Sequence, residues 1–228
     1  MLVKFGSIIT DGRGSIGGHT LSRNTYGPIM RTKVTPVNRA TTAQQNVRSS
    51  LTAIAQMWRG LTDAQRAAWA SLAQEVSRTN VFGDSVKLTA FNLFTRLNRN
   101  IAAVNGTLIT AAPAIPTMSA LTAISVTAAA GTPAVSVVFA PTPVPTGFDL
   151  LLRATPLVSA GISFVKSEFR QLAVVAAAGA SPSNQLSNYN NLFGTLIAGK
   201  RLFVTGRLVH IASGFSSVDL QATCIVSA

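Results

Sequence analysis

The sequence predicts an α+β fold in three parts: a glycine-rich N-terminal arm or set of short strands, a three-helix region, and an all-β sandwich. Three observations predict it. Six glycines punctuate the first 27 residues. Apolar residues then recur at helical spacing across residues 42–104. Past Pro113 and Pro116, short strand patterns follow one another with turn residues between them. The expected divisions are a basic extended arm with short hairpins at 1–40, a helical domain at 41–105, a linker at 106–118 and the sandwich at 119–228.

Short extended pieces are expected at 2–5, 7–10, 19–22 and 29–34, with Asp11-Gly12 as a turn signal. This stretch has too few large apolar residues to close a core of its own. Ordering six glycines is costly, because glycine loses the most backbone freedom. The arm is therefore expected to gain its order from neighbouring subunits. Lys4, Arg13, Arg23, Tyr26, Arg31 and Lys33 are the candidate partner-binding residues.

Two helix signatures follow. Thr42 with Gln45 and Thr62 with Gln65 are candidate capping boxes, in which a hydroxyl and an amide each satisfy a free backbone N–H. Val47, Leu51, Ile54 and Trp58 form one apolar stripe; Trp69, Leu72, Ala73 and Val76 form a second. Gly60 is expected in the left-handed conformation after the first helix. A short connection predicts an antiparallel pair. Residues 79–85 read as a loop and 88–104 as a third helix. Phe91, Phe94 and Leu97 are expected to meet Trp58 and Trp69, with Arg96, Arg99 and Asn100 on the solvent side.

In the C-terminal half, strands are expected at 120–127, 134–139, 148–154, 169–175, 202–210 and 219–226. Several strands at this spacing, separated by prolines, argue a β-sandwich. Tyr189 falls in a polar Ser-Asn-Tyr-Asn-Asn run and reads as a loop residue.

Charge is scarce and one-sided. The 228 residues carry 19 basic and 7 acidic side chains, a net +12. Residues 1–105 hold 13 of the basic and 4 of the acidic ones. A field of that sign favours an anionic partner. Charged residues make up 11% of the chain against about 25% in ordinary soluble domains, as befits a surface partly covered by other subunits. Cys224 stands alone, so no intramolecular disulfide forms, and its apolar setting predicts an inert thiol. No apolar run reaches the ~20 residues of a membrane span, and the first 18 residues lack a secretory pattern.

No catalytic constellation is visible. Residues 12–17 satisfy G-x-G-x-x-G, but the dinucleotide fingerprint needs a buried strand before it and a helix after it. His19 and His210 lie in different halves without clustered ligands, which argues against zinc. The seven carboxylates are scattered. The chain is read as a non-enzyme with no cofactor and no metal.

Two resemblances extend this. Pro113, Pro116, the run Val137-Val138-Phe139, the Pro141-Thr142-Pro143 loop, Gly147, the run from Gly199 to Val204 and Ser213-Gly214-Phe215 resemble a fibronectin type III or immunoglobulin-like domain. The usual core tryptophan of such domains is absent. Residues 3–100 resemble small virion proteins of tailed bacteriophages and prophages. Carrying that resemblance are Gly17-Gly18-His19, the run from Ser22 to Gly27 and the run from Arg31 to Asn38. It continues through Thr42-Ala43-Gln44-Gln45, the run from Trp58 to Trp69 and the run from Asn80 to Asp84. It implies a structural component of the phage particle, made in the host cytoplasm. A capsid decoration, minor capsid or head–tail neck position suits the basic front half; a tail position is the alternative. Partners would be other virion proteins or repeated copies of this chain, with no membrane. Contact with DNA is compatible with the charge but not required by it. A nucleic-acid-binding module is the alternative of a different class; it would need aromatic platforms, and Phe5, Tyr26, Trp58 and Trp69 are the early aromatics.

Overall fold

The computed structural model describes residues 2–4, 6 and 11–228; the pieces expected at 2–5 and 7–10 lie partly or wholly outside them, as does Phe5. The chain is a mixture of helices and antiparallel strands that divides into two compact units, residues 1–95 and 96–228.

The first unit opens with β1 (Gly14–Ile16), β2 (His19–Asn24) and β3 (Gly27–Thr32), a three-stranded antiparallel sheet in that order. Ile16 pairs with His19 and Asn24 with Gly27, so both connections are two-residue hairpin turns. Leu2 bridges to Ile29, and the Val3 N–H donates to the Pro28 carbonyl. Residues 14–32 of the glycine-rich stretch thus pair their backbone groups in hairpins of their own. A strand rather than a helix follows Gly17, which removes the dinucleotide-loop reading.

Helix α1 (Thr42–Arg59) is capped by Thr41, whose hydroxyl accepts from the Gln44 N–H; the expected Thr42–Gln45 pair is one residue late. Gly60 closes it in the right-handed region, φ −79°, not the left-handed one. Its N–H is already satisfied by the Gln56 and Met57 carbonyls, so no reversal is required. Helix α2 (Asp63–Glu75) carries the complete Thr62–Gln65 capping box. Arg66 reaches back from α2 to the Arg59 carbonyl at the end of α1, at 2.8 Å. The region read as a loop contains a small hairpin, β4 (Ser77–Thr79) and β5 (Ser85–Lys87). The Asn80 side chain organises its tip by accepting from the Phe82 and Asp84 N–H groups.

Helix α3 (Ala90–Ala103) follows, and the division between units falls inside it, after Thr95. In the first unit Trp69 packs edge-on against Phe94, with centroids 5.1 Å apart, and Trp58 lies 5.2 Å from the same ring and 5.8 Å from Phe91. Ile54, Trp69, Leu72, Leu93 and Phe94 are buried.

The second unit begins with the last turns of α3. It continues through β6 (Ala123–Ala129), β7 (Ala134–Ala140), β8 (Phe148–Ala154), β9 (Val158–Ser159), β10 (Arg170–Val175) and β11 (Ser183–Asn184). Helix α4 (Leu186–Phe193), β12 (Lys200–His210) and β13 (Leu220–Ile225) complete it. The six expected strands all form; β9, β11 and α4 are additional. One sheet has the order β10-β8-β12-β13 with β9 at the end of β12, and the other is β11-β7-β6. Val135, Val137 and Phe139 from one sheet and Leu150, Leu152, Leu202 and Val204 from the other share one core. A Cβ on Gly206 would stand 2.8 Å from the Ile124 side chain, so a glycine in the middle of β12 lets the sheets approach.

Tyr189 corrects the loop reading. It sits in α4, fully buried, and its hydroxyl donates to the Thr155 carbonyl at 3.1 Å. Burial pushes its pKa up to about 12. A polar-looking sequence hid it: Asn188 and Asn191 are exposed, while between them one large ring fills the core.

The composition break at 106–118 is not where the units divide. Asn98 accepts from the Ile109 N–H and donates to its carbonyl, tying the following segment to α3. Asn100, expected on the solvent side, is buried: it donates to the Gly214 carbonyl at 2.8 Å and accepts from Arg207 at 3.1 Å. Val104 packs with Leu151 and Val209 on the outer face of the larger sheet. The second half of α3 therefore belongs to the β unit.

Candidate interaction surface of the first unit

The β1–β3 sheet contributes no residue to the buried core, because its strands are short and alternate polar with apolar side chains. The six expected partner residues are spread over it and around it. Lys4 is engaged within the unit: its ammonium lies 3.2 Å from Asp84 and 5.1 Å from the Phe82 ring centroid. Hydrogen bonding from Asn80 first, then Lys4, holds the Asp84 carboxyl below the usual range. Arg23 pairs with Asp11 at 3.4 Å. Both pairs are exposed and contribute little to stability. Tyr26, half-buried, lines a concavity of about 200 Å³ with Leu2, Asn80 and Val86. Arg31 and Lys33 line a second one, of about 530 Å³, with Thr20, Val34 and Pro36. Arg13 is exposed near the first hairpin. The structure brings Arg31 and Lys33 together, and leaves the other four apart from them.

Sequence periodicity missed the more telling surface. Val47 and Leu51 share a helical face with Ile54 and Trp58, yet only the last two reach the core. Val47 is 48% exposed and Leu51 43%. The stripe continues bare along the first three turns of α1. Every residue from 31 to 49 is exposed, and Val34 and Val37 in the segment before the helix are 72% and 79% exposed. The sequence signal for this was present in the charges: residues 12–62 hold seven basic residues and no acidic one. The result is four exposed aliphatic residues, two on an extended piece and two on a helix, within a stretch of sequence that carries basic but no acidic side chains.

Among the described residues no group of three His, Cys, Asp or Glu side chains could hold a metal ion, and no helix is long and apolar enough to cross a membrane.

No family model and no curated protein matches the chain. Among solved structures, a Fn3-like protein from Clostridium thermocellum is similar at 10% sequence identity, over 52% of this chain and 97% of that one, with a TM-score of 0.29. A likeness that slight carries no argument, and the reading of the second unit rests on its own sheets and core.

Proposed function

We propose that this chain is a structural component of a tailed bacteriophage particle, docked on neighbouring virion subunits through its basic first unit. The resemblance of residues 3–100 to phage virion proteins motivates the class. The observation that carries the docking role is the exposure of Val34, Val37, Val47 and Leu51 within an acid-free stretch. Four exposed aliphatic side chains on one continuous segment gain by burial, at ~25 cal/mol per Å² of apolar area removed from water. Arg31, Lys33, Arg39 and Arg48, which lie in the same exposed segment, select a partner with an acidic rim. A capsid or neck position suits this charge; a tail position is the alternative within the particle.

In this reading the second unit is an immunoglobulin-like sandwich of the fibronectin type III kind, carried by the anchored first unit. Its two antiparallel sheets over a shared core support that. The nucleic-acid alternative is weaker in the same geometry. Trp69 is fully buried, and Trp58 is packed on two phenylalanines, so neither ring is presented as a platform for base stacking.

Incorporation into particles tests the proposal. A Val47→Asp, Leu51→Asp chain alters only exposed positions and should fold normally by circular dichroism. It should nonetheless be lost from purified particles. Wild-type occupancy of the doubly substituted chain would overturn the docking role.

A further inference from the structure

The outer face of the larger sheet is unevenly covered: Phe203, Leu151 and Val209 on it are buried, while Thr205 and Arg207 between them are half-buried. Its core-facing residues are Leu150, Leu152 and Ala154 on β8 and Leu202, Val204 and Leu208 on β12, so the alternating positions point the other way. At one end, Leu151 and Val209 on that outer face are covered by Val104. Midway along β12, strand register sets Gln171, Arg153, Thr205 and Gln221 in one row across β10, β8, β12 and β13. Gln171 is committed to the Ala103 carbonyl, at 2.8 Å. The remaining three line a concavity of about 380 Å³, walled by the loop that carries Phe164, Lys166 and Ser167.

The charge around this concavity is unbalanced. Arg153 and Lys166 line it, and Asp219 is the carboxylate among its lining residues. That carboxylate is already shared with Arg207, whose Nε lies 3.8 Å away and has no hydrogen-bond partner. Arg207 occupies the same sheet face as Thr205, two residues on. Its charge is disfavoured by burial first, then by Arg153, with Arg96 acting in the same direction and Asp219 against. Glu168 stands in the wall loop but is exposed and does not line the concavity. Residues with neutral donors line the same space: Thr205, Ser167 and Gln221. A guanidinium, an ammonium and three residues with neutral donors, around a hollow whose other walls are Phe164, Val165 and Phe169, are the groups that recognise an oxyanion with an apolar neighbour.

We propose that this hollow is an oxyanion-binding site, taking a carboxylate or phosphate group between Arg153 and Lys166. The site lies wholly within the second unit and stands independently of the proposed virion role. The bound group accepts from the Arg153 fork on one side and the Lys166 ammonium on the other, while Thr205 and Gln221 fix it from the sheet. Phe164, 68% exposed at the rim, gives an apolar neighbour of that group a surface to rest on.

The test is a ¹H–¹⁵N titration of the full chain at fixed ionic strength, with inorganic phosphate in one arm and N-acetylglutamate methylamide in the other. Saturable shifts are expected at Arg153, Lys166, Ser167, Thr205 and Gln221. Saturation by phosphate alone identifies a phosphate ligand; saturation by the capped glutamate alone identifies an acidic side chain. Lys166→Gln, in an exposed loop, should weaken binding about tenfold, equivalent to the loss of one charge-assisted hydrogen bond. Lys200→Gln, an exposed cation outside the hollow, should leave it unchanged. The proposal is overturned if neither anion saturates, if the shifts spread over all basic residues alike, or if Lys166→Gln binds as the wild type does.

Discussion

Gly214 lies against the backbone of Leu97 so closely that a Cβ would stand 2.3 Å from the Leu97 carbonyl oxygen. Its φ of +74° is also one that side chains rarely adopt. The Gly214 carbonyl meanwhile accepts from Asn100, one turn along the same helix. This contact seats the second half of α3 on the β unit. Gly214→Ala is expected to cost about 1–3 kcal/mol, as for overpacking, with the backbone conformation adding to it. Urea unfolding of the purified chain measures this, and an unchanged midpoint would show that the contact yields freely.

The helical core makes a graded prediction. Trp69 is fully buried against Phe94, whereas Trp58 is half-buried beside it. Trp69→Ala should destabilise the first unit by about 3–5 kcal/mol, and Trp58→Ala by clearly less. Equal losses would mean that exposure does not rank these two rings.

In the second unit, Tyr189→Phe removes the hydroxyl that serves the Thr155 carbonyl, and about 0.5–1.5 kcal/mol should be lost. A melting temperature equal to wild type would remove the hydrogen bond from the account.

Asp149 supplies a pH dependence. Burial raises its carboxyl above the ordinary range, only partly offset by the Ala177 N–H. A carboxyl raised in the folded state favours folding most when protonated. Its contribution is therefore full below the unfolded pKa and is lost as pH rises through the folded one. Asp149→Asn keeps an acceptor for Ala177 without the charge. It should be more stable than wild type at neutral pH, with the gap closing in acid. A gap that widens in acid would reverse the sign argued here.

Local signals in the chain were legible where one residue decides the outcome. The Thr62–Gln65 box and the alternating run of Val135, Val137 and Phe139 are of this kind, because capping and the strand period act over a few residues. Two features were not legible, for a common reason. Tyr189 looked like loop and Asn100 looked like surface, since each sits among polar neighbours; what buries them comes from Thr155, Gly214 and Arg207, between 34 and 114 residues away. The reverse error occurred on α1. Periodicity showed that Val47, Leu51, Ile54 and Trp58 share a face, but it carries no information about how far along that face the partner helices reach. The expected site residues were drawn from charge alone. Two of them, Lys4 and Arg23, proved to have carboxylate partners inside the unit.

The central claim is that residues 31–51 are covered by a neighbouring subunit in an assembled phage particle. An electron-microscopy map of that particle, at a resolution that traces the chain, tests it most directly. The account predicts Val34, Val37, Val47 and Leu51 packed on a neighbour, with acidic side chains of that neighbour facing Arg31, Lys33 and Arg48. Density showing the same segment facing solvent, with the chain held through other surfaces, would contradict it.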